Sequence, residues 1–319
     1  MNPKNLRISV FRAITPIPSI PVRFNTLLWV LLVSLSLISC VGKDAVHSPQ
    51  ILIDTGWKNY QLGDFDLAVE NFQEANRLSN DLDIKAEALF GEASCWNYRR
   101  QNRNTDKARE LYAEILKLTP LHPLIPWIEL AKVRIQHFGK IEPKLDYASL
   151  ADSYADVYKR YPNHLAGQEA FVNQYNVLLY DVSDDKQIAR TAIPILQDFL
   201  TNHPETPFLH SVSSQLASCY AALNKDQERV FWMLRALEKR ELDTTNPNAD
   251  NSTNYWNIAY TAEFEVGDFK LAREYYLRLI TAYPRDQRIF EAKTALRRMD
   301  EVEILVRAGR DPSTRKEGR

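Results

Sequence analysis

The run Gly63-Asp-Phe-Asp-Leu-Ala68 recurs as Gly267-Asp-Phe-Lys-Leu-Ala272, each time with an aromatic residue, Phe72 or Tyr276, four places after the alanine. No other feature of the sequence limits the fold so strongly. A glycine followed by an aspartate ends one helix in the left-handed region and caps the start of the next. Ala68, Phe72 and Ala75 then share one face of that next helix, so small side chains admit a neighbouring helix and the ring fills the gap left between them. The pattern predicts a helix pair joined at Gly-Asp-Phe, present at least twice.

Weaker copies fill the interval. Ala108, Tyr112 and Pro120 keep the later half of the pattern, as do Ala192, Leu196 and Pro204, while Leu150, Tyr154 and Pro162 replace the alanine with leucine. Prolines at 120, 162, 204, 247 and 284 mark repeat ends, in steps of 42, 42, 43 and 37 residues, and Asn80 holds the equivalent place after the first copy. Only 9 glycines occur in 319 residues, which leaves few turns needing positive φ and points to an all-α chain. After Pro284, Ile289, Ala292, Ala295, Leu296, Met299, Val302 and Val306 fall at three- and four-residue spacings, the pattern of one last helix that caps the array.

These residues resemble the tetratricopeptide-repeat family. The resemblance implies a right-handed superhelical array of helix pairs over residues 50–308, although the period exceeds the family's usual length of about 34. A HEAT-like arrangement of the middle repeats is the competing reading. Endings such as Arg160-Tyr-Pro162 and Ala282-Tyr-Pro284 are similar to those of the BamD-like outer-membrane assembly lipoproteins.

The N-terminal segment has a different character. Lys4, Arg7, Arg12 and Arg23 precede an apolar run of about 13 residues that ends Leu37-Ile-Ser-Cys40, a basic flank and short core typical of an export signal. A bilayer crossing needs roughly 20 apolar residues, which disfavours a permanent span. The tetrapeptide resembles the lipobox of bacterial lipoproteins, which implies a signal over residues 1–39, a diacylated Cys40 and a tether over 40–49. By the same resemblance, Val41 in place of aspartate implies sorting to the outer membrane, facing the periplasm. An uncleaved anchor and an ordinary signal with an incidental cysteine are the alternatives. The n-region is long and carries Pro16, Pro18 and Pro21, which leaves the true start codon open. Residues 309–319 have no apolar content and read as a disordered tail.

Forty Lys and Arg against 41 Asp and Glu give a net charge of -1, so no general basic field attracts nucleic acid. The six histidines and three cysteines fall into no metal-ligand, nucleophile or redox spacing, and no glycine-rich phosphate loop occurs. Neither a catalytic site, a metal nor a cofactor is expected. Cys95 and Cys219 sit in matching Ala-Ser-Cys-aromatic runs and read as small core residues, not as a disulfide.

On the first helix, Ile53, Trp57 and Tyr60 form a stripe away from Gly56. Family resemblance turns such a stripe toward the concave groove, with Asn254, Asn257, Thr261 and Phe264 as its counterparts in the last strong repeat. Core packing is the competing reading of the same residues. The expected function is a membrane-anchored, extracytoplasmic scaffold for other envelope proteins or extended peptides. A surface lipoprotein binding a glycan or other nutrient is the alternative.

Overall fold

The computed structural model describes residues 48–98, 103–139, 145–180, 185–242 and 249–307, and the statements below concern those residues. Cys40, the signal segment, the tether up to His47, Pro247 and the tail lie outside them. Thirteen α-helices and no strand occur among the described residues. They form six consecutive pairs: α1 (Pro49–Leu62) with α2 (Phe65–Leu78), α3 (Leu82–Tyr98) with α4 (Thr105–Leu118), and α5 (Ile125–Gly139) with α6 (Tyr147–Arg160). There follow α7 (Leu165–Tyr180) with α8 (Asp185–Asn202), α9 (Leu209–Ala222) with α10 (Asp226–Glu241), and α11 (Ser252–Thr261) with α12 (Phe269–Ala282). Helix α11 runs on into a π turn, Ala262–Val266, and α13 (Ile289–Arg307) packs on α12 at the end of the array.

The two helices of a pair bury themselves differently. Second helices are one-sided: α2 buries Ala68, Val69, Phe72 and Ala75, α4 buries Ala108, Leu111, Tyr112 and Ile115, and α12 buries Ala272, Tyr275, Tyr276 and Leu279. Their outer faces are mostly polar, with exposed exceptions such as Leu67 and Leu277, hence the clear helical period in the sequence. First helices are enclosed on most sides. Helix α7 buries Ala166, Gly167, Gln168, Ala170, Phe171, Val172, Tyr175 and Val177, because it packs against α6, α5, α8 and α9.

Phe72 shows how close that enclosure is. Its ring lies between Gly56 of α1 and Gly91 of α3, and a Cβ added at those glycines would stand 2.7 and 2.5 Å from its Cε1 atom. Only hydrogen at both positions lets three helices converge on one ring.

Local chemistry sets the turns. Gly63 takes φ 82° and its N–H bonds the Tyr60 carbonyl, while Asp64 accepts from the Leu67 N–H at 3.4 Å. Gly267, at φ 77°, and Asp268 repeat the arrangement, with the Leu271 N–H at 3.0 Å. In the α9–α10 turn Asn224 holds the left-handed position at φ 56°. Asn104 and Asp146 cap α4 and α6 in the place of Asp64.

Pro120, Pro162, Pro204 and Pro284 each lie two residues past a second helix. In each case the N–H two residues after the proline bonds back to the carbonyl of the residue before it, as from His164 to Tyr161. A side chain at Gly167 would collide with the Tyr161 carbonyl, so the α6–α7 turn tolerates only glycine there.

Replacing Gly91 with alanine is expected to destabilise the protein by about 1–3 kcal/mol through overpacking on Phe72. Phe72→Leu in the same background should recover part of that loss. Denaturant midpoints of the two single variants and the double variant check the coupling.

Candidate partner-binding face

The groove stripe expected on α1 divides. Ile53 is fully buried and packs with Ala75 and Ala88, so it is a core residue and drops out of any binding face. Trp57 is half-buried at the junction of α1, α2 and α3, with ring centroids 5.0 Å from Phe72 and 6.3 Å from Phe90. Its indole N–H donates to Glu87 Oε1 at 3.1 Å. Burial raises the Glu87 pKa, and the bond from Trp57 partly offsets it. Tyr60 is half-buried against Phe65 and the edge of Trp57.

At the other end of the array, α11 and the π turn that continues it present Thr253, Asn257, Tyr260 and Phe264 to solvent, one stripe at four-, three- and four-residue spacing. Asn254 is half-buried and donates to Asn251 Oδ1. Thr261 is only 1 % exposed, which makes it a core residue and removes it from the expected stripe, while its neighbour Tyr260 is 44 % exposed. A one-residue error of register moves a side chain by about 100° around the helix, enough to turn it from groove to core. The aromatic spacing Trp256, Tyr260, Phe264 was the signal that could have set the register.

These rings touch one another. Trp256 and Tyr260 are 6.2 Å apart and Tyr260 and Phe264 4.7 Å, and the Arg298 guanidinium from α13 lies 4.9 Å over the Phe264 ring. The π turn beneath supplies the reason. It carries Glu263 inward, where its Oε2 accepts from the Tyr276 hydroxyl at 2.9 Å and its Oε1 receives Arg298 Nε and Nη2 at 2.9 and 2.5 Å. Burial raises the Tyr276 pKa, and the adjacent carboxylate pushes it further, so the phenol stays a donor. Glu263 thus holds the arginine in place as one wall of the aromatic face. π turns often mark functional positions within helices.

A second polar stretch joins α7 and α9. Gln215 Nε2 donates to the Val172 carbonyl at 2.8 Å and to Asn176 Oδ1 at 2.9 Å, and the Tyr180 and Ser218 hydroxyls are 3.0 Å apart. Tyr180 is 57 % exposed, and Glu169 of α7 pairs with Arg134 of α5. Sequence reasoning missed these residues because α7 and α9 lack a polar period.

Reactive chemistry is scarce in this arrangement. Cys95 and Cys219 are buried free thiols whose pKa burial pushes up to about 12, so each stays protonated at neutral pH and is a poor nucleophile. Among the described residues, no group of three or more His, Cys, Asp or Glu gathers to hold a metal ion. A shallow depression lined by Asp83 and Thr119 to Pro123 lies at the α4–α5 turn.

Paired helices, Gly-Asp turns, small-residue contacts on an aromatic and a terminal capping helix define a tetratricopeptide-like array. No protein-family model matches the sequence, and no curated protein matches it. Among solved structures the chain is similar to Acl4, the assembly chaperone of RpL4, at 16 % identity and a TM-score of 0.46, over 81 % of this chain and 99 % of that one. A thermophilic tetratricopeptide protein of Thermus thermophilus is similar at 16 % identity and a TM-score of 0.36, over 78 % of this chain and 99 % of that one. The tetratricopeptide domain of P58(IPK) shares 16 % identity at a TM-score of 0.30, over 82 % and 68 % of the two chains.

Trp57→Ala should lower stability by about 3 kcal/mol, as expected for removing a large aromatic from a helix junction. Joint replacement of Tyr260 and Phe264 by alanine should shift the thermal midpoint far less. Thermal denaturation of the two variants separates the packing cluster from the exposed one.

Proposed function

We propose that this chain is a lipid-tethered, extracytoplasmic scaffold that holds other proteins of a bacterial envelope complex, in outer-membrane protein assembly or envelope biogenesis. The observation that carries the binding reading is the Asn257, Tyr260, Phe264 and Arg298 face. Aromatic side chains bring large contact area at low entropic cost, and a guanidinium already fixed by Glu263 loses little further freedom when a partner docks. The Tyr180 hydroxyl, paired with Ser218 at the exposed end of α7, adds a polar contact suited to an extended main chain.

Tethering rests on the sequence Leu37-Ile-Ser-Cys40 after a short apolar core. No helix among the described residues is long and apolar enough to cross a membrane, so in this reading attachment falls to the two acyl chains at Cys40. The near-zero net charge supports protein over nucleic acid as partner. Catalysis by the chain itself has no part in the proposal.

Affinity recovery from detergent-solubilised membranes tests both halves. Partners should co-purify with the full-length chain and fall about thirtyfold in recovery when Tyr260 and Phe264 become alanine, the loss expected for about 2 kcal/mol of interface. Equal recovery with the double variant would place the interface elsewhere, and a glycan as the sole bound species would favour the nutrient-binding alternative. Cys40→Ser should block lipoprotein processing and alter both mass and membrane fractionation. Unchanged mass and fractionation would remove the anchor from the proposal.

A further inference from the structure

Every turn that follows a second helix among the described residues is closed by a side chain accepting the backbone N–H two residues ahead. Asp81 takes the Asp83 N–H at 2.8 Å, Thr206 the Phe208 N–H at 3.2 Å and Asp286 the Arg288 N–H at 2.8 Å. In the two middle turns the acceptor is an imidazole: His122 Nδ1 takes the Leu124 N–H and His164 Nδ1 the Ala166 N–H, both at 3.1 Å. An imidazole accepts at Nδ1 only as the neutral Nε2–H tautomer. Protonation puts a hydrogen on Nδ1 and sets two donors against each other. Hydroxyl and carboxylate caps keep their acceptor through the range in which histidine titrates.

The two imidazoles differ in their surroundings. His122 Nε2 lies 3.6 Å from the Asp83 carboxylate of α3. His164 instead faces the Trp127 ring of α5, with centroids 5.7 Å apart. Charged side chains of α5, α6 and α7 pair with one another, Arg160 with Glu129, Lys132 with Glu129, and Arg134 with Glu169. Burial accordingly holds the His164 pKa below its ordinary value. The turn has no slack, since Gly167 already abuts the Tyr161 carbonyl.

We propose that His164 is an acid-sensitive latch: protonating it removes the acceptor that closes the α6–α7 turn, frees the Ala166 N–H and loosens the middle of the array while the turns capped by Asp81, Thr206 and Asp286 hold. The sign follows from linkage. A histidine kept neutral in the fold and free to protonate when the turn opens supports the closed state above its ordinary pKa of about 6.5, and that support is lost as the pH falls toward the lowered value.

Hydrogen exchange of the full-length chain in detergent, corrected for intrinsic rate, tests this at about pH 7.5 and about pH 5. Protection of the segment following His164 should fall roughly five- to tenfold at the lower pH, the contribution of one lost helix cap, with little change around Asp286. His164→Asn and His164→Thr, which supply non-titrating acceptors, should each abolish that fall while matching wild-type protection at the higher pH. Unchanged wild-type protection across the pH step overturns the proposal without recourse to any variant. So does a fall of the same size in both variants.

Discussion

The approach of Gly56 and Gly91 to the two sides of Phe72 is the contact on which the first repeats depend. Helix axes come this close only where one partner lacks a side chain, and the space so created must then be filled, because an unfilled gap forfeits dispersion on every wall. One phenyl ring fills it for three helices at once. Trp57 packs on the same ring and in turn meets Phe90, so the aromatic content of this region goes largely into packing. Later repeats meet the same demand with Tyr112, Tyr154 and Tyr276, all fully enclosed.

How much of this was legible in the sequence follows from the range of the forces involved. Gly63-Asp64, Gly267-Asp268 and the second-helix prolines act within a few residues of themselves, so their positions alone located the turns. The one-sided second helices were equally readable, because one face meets water. Enclosed helices such as α7 and α9 expose little beyond their ends, and their composition carries no period from which to read an orientation. Nor does the pattern announce the π turn at Ala262–Val266. The side chain of Glu263 finds Tyr276 and Arg298 only after α12 and α13 are in place, so the presence of Tyr260 rather than Thr261 on the surface is a tertiary result.

The same buried carboxylate links stability to recognition. A charge at Glu263 would be costly without partners, and Tyr276 and Arg298 supply them. Fixing Arg298 over Phe264 is a by-product of that satisfaction, yet it converts a flexible surface cation into a rigid wall. Scaffolds need such order in advance, since any freedom lost on docking subtracts from affinity. The proposed His164 latch is the converse case, in which satisfying a backbone donor with a titrating group makes local order conditional.

Among the described residues, substantial packing joins a helix to its neighbour or next neighbour in sequence. Nothing built this way has to wait for a distant segment before its first contacts can form. Chains of low contact order close small loops early and fold quickly. A chain made from its N-terminus could therefore consolidate α1 and α2 as soon as α3 arrives to complete the Phe72 contact, and each further pair would find a finished surface to add to. The order of synthesis and the order of assembly coincide.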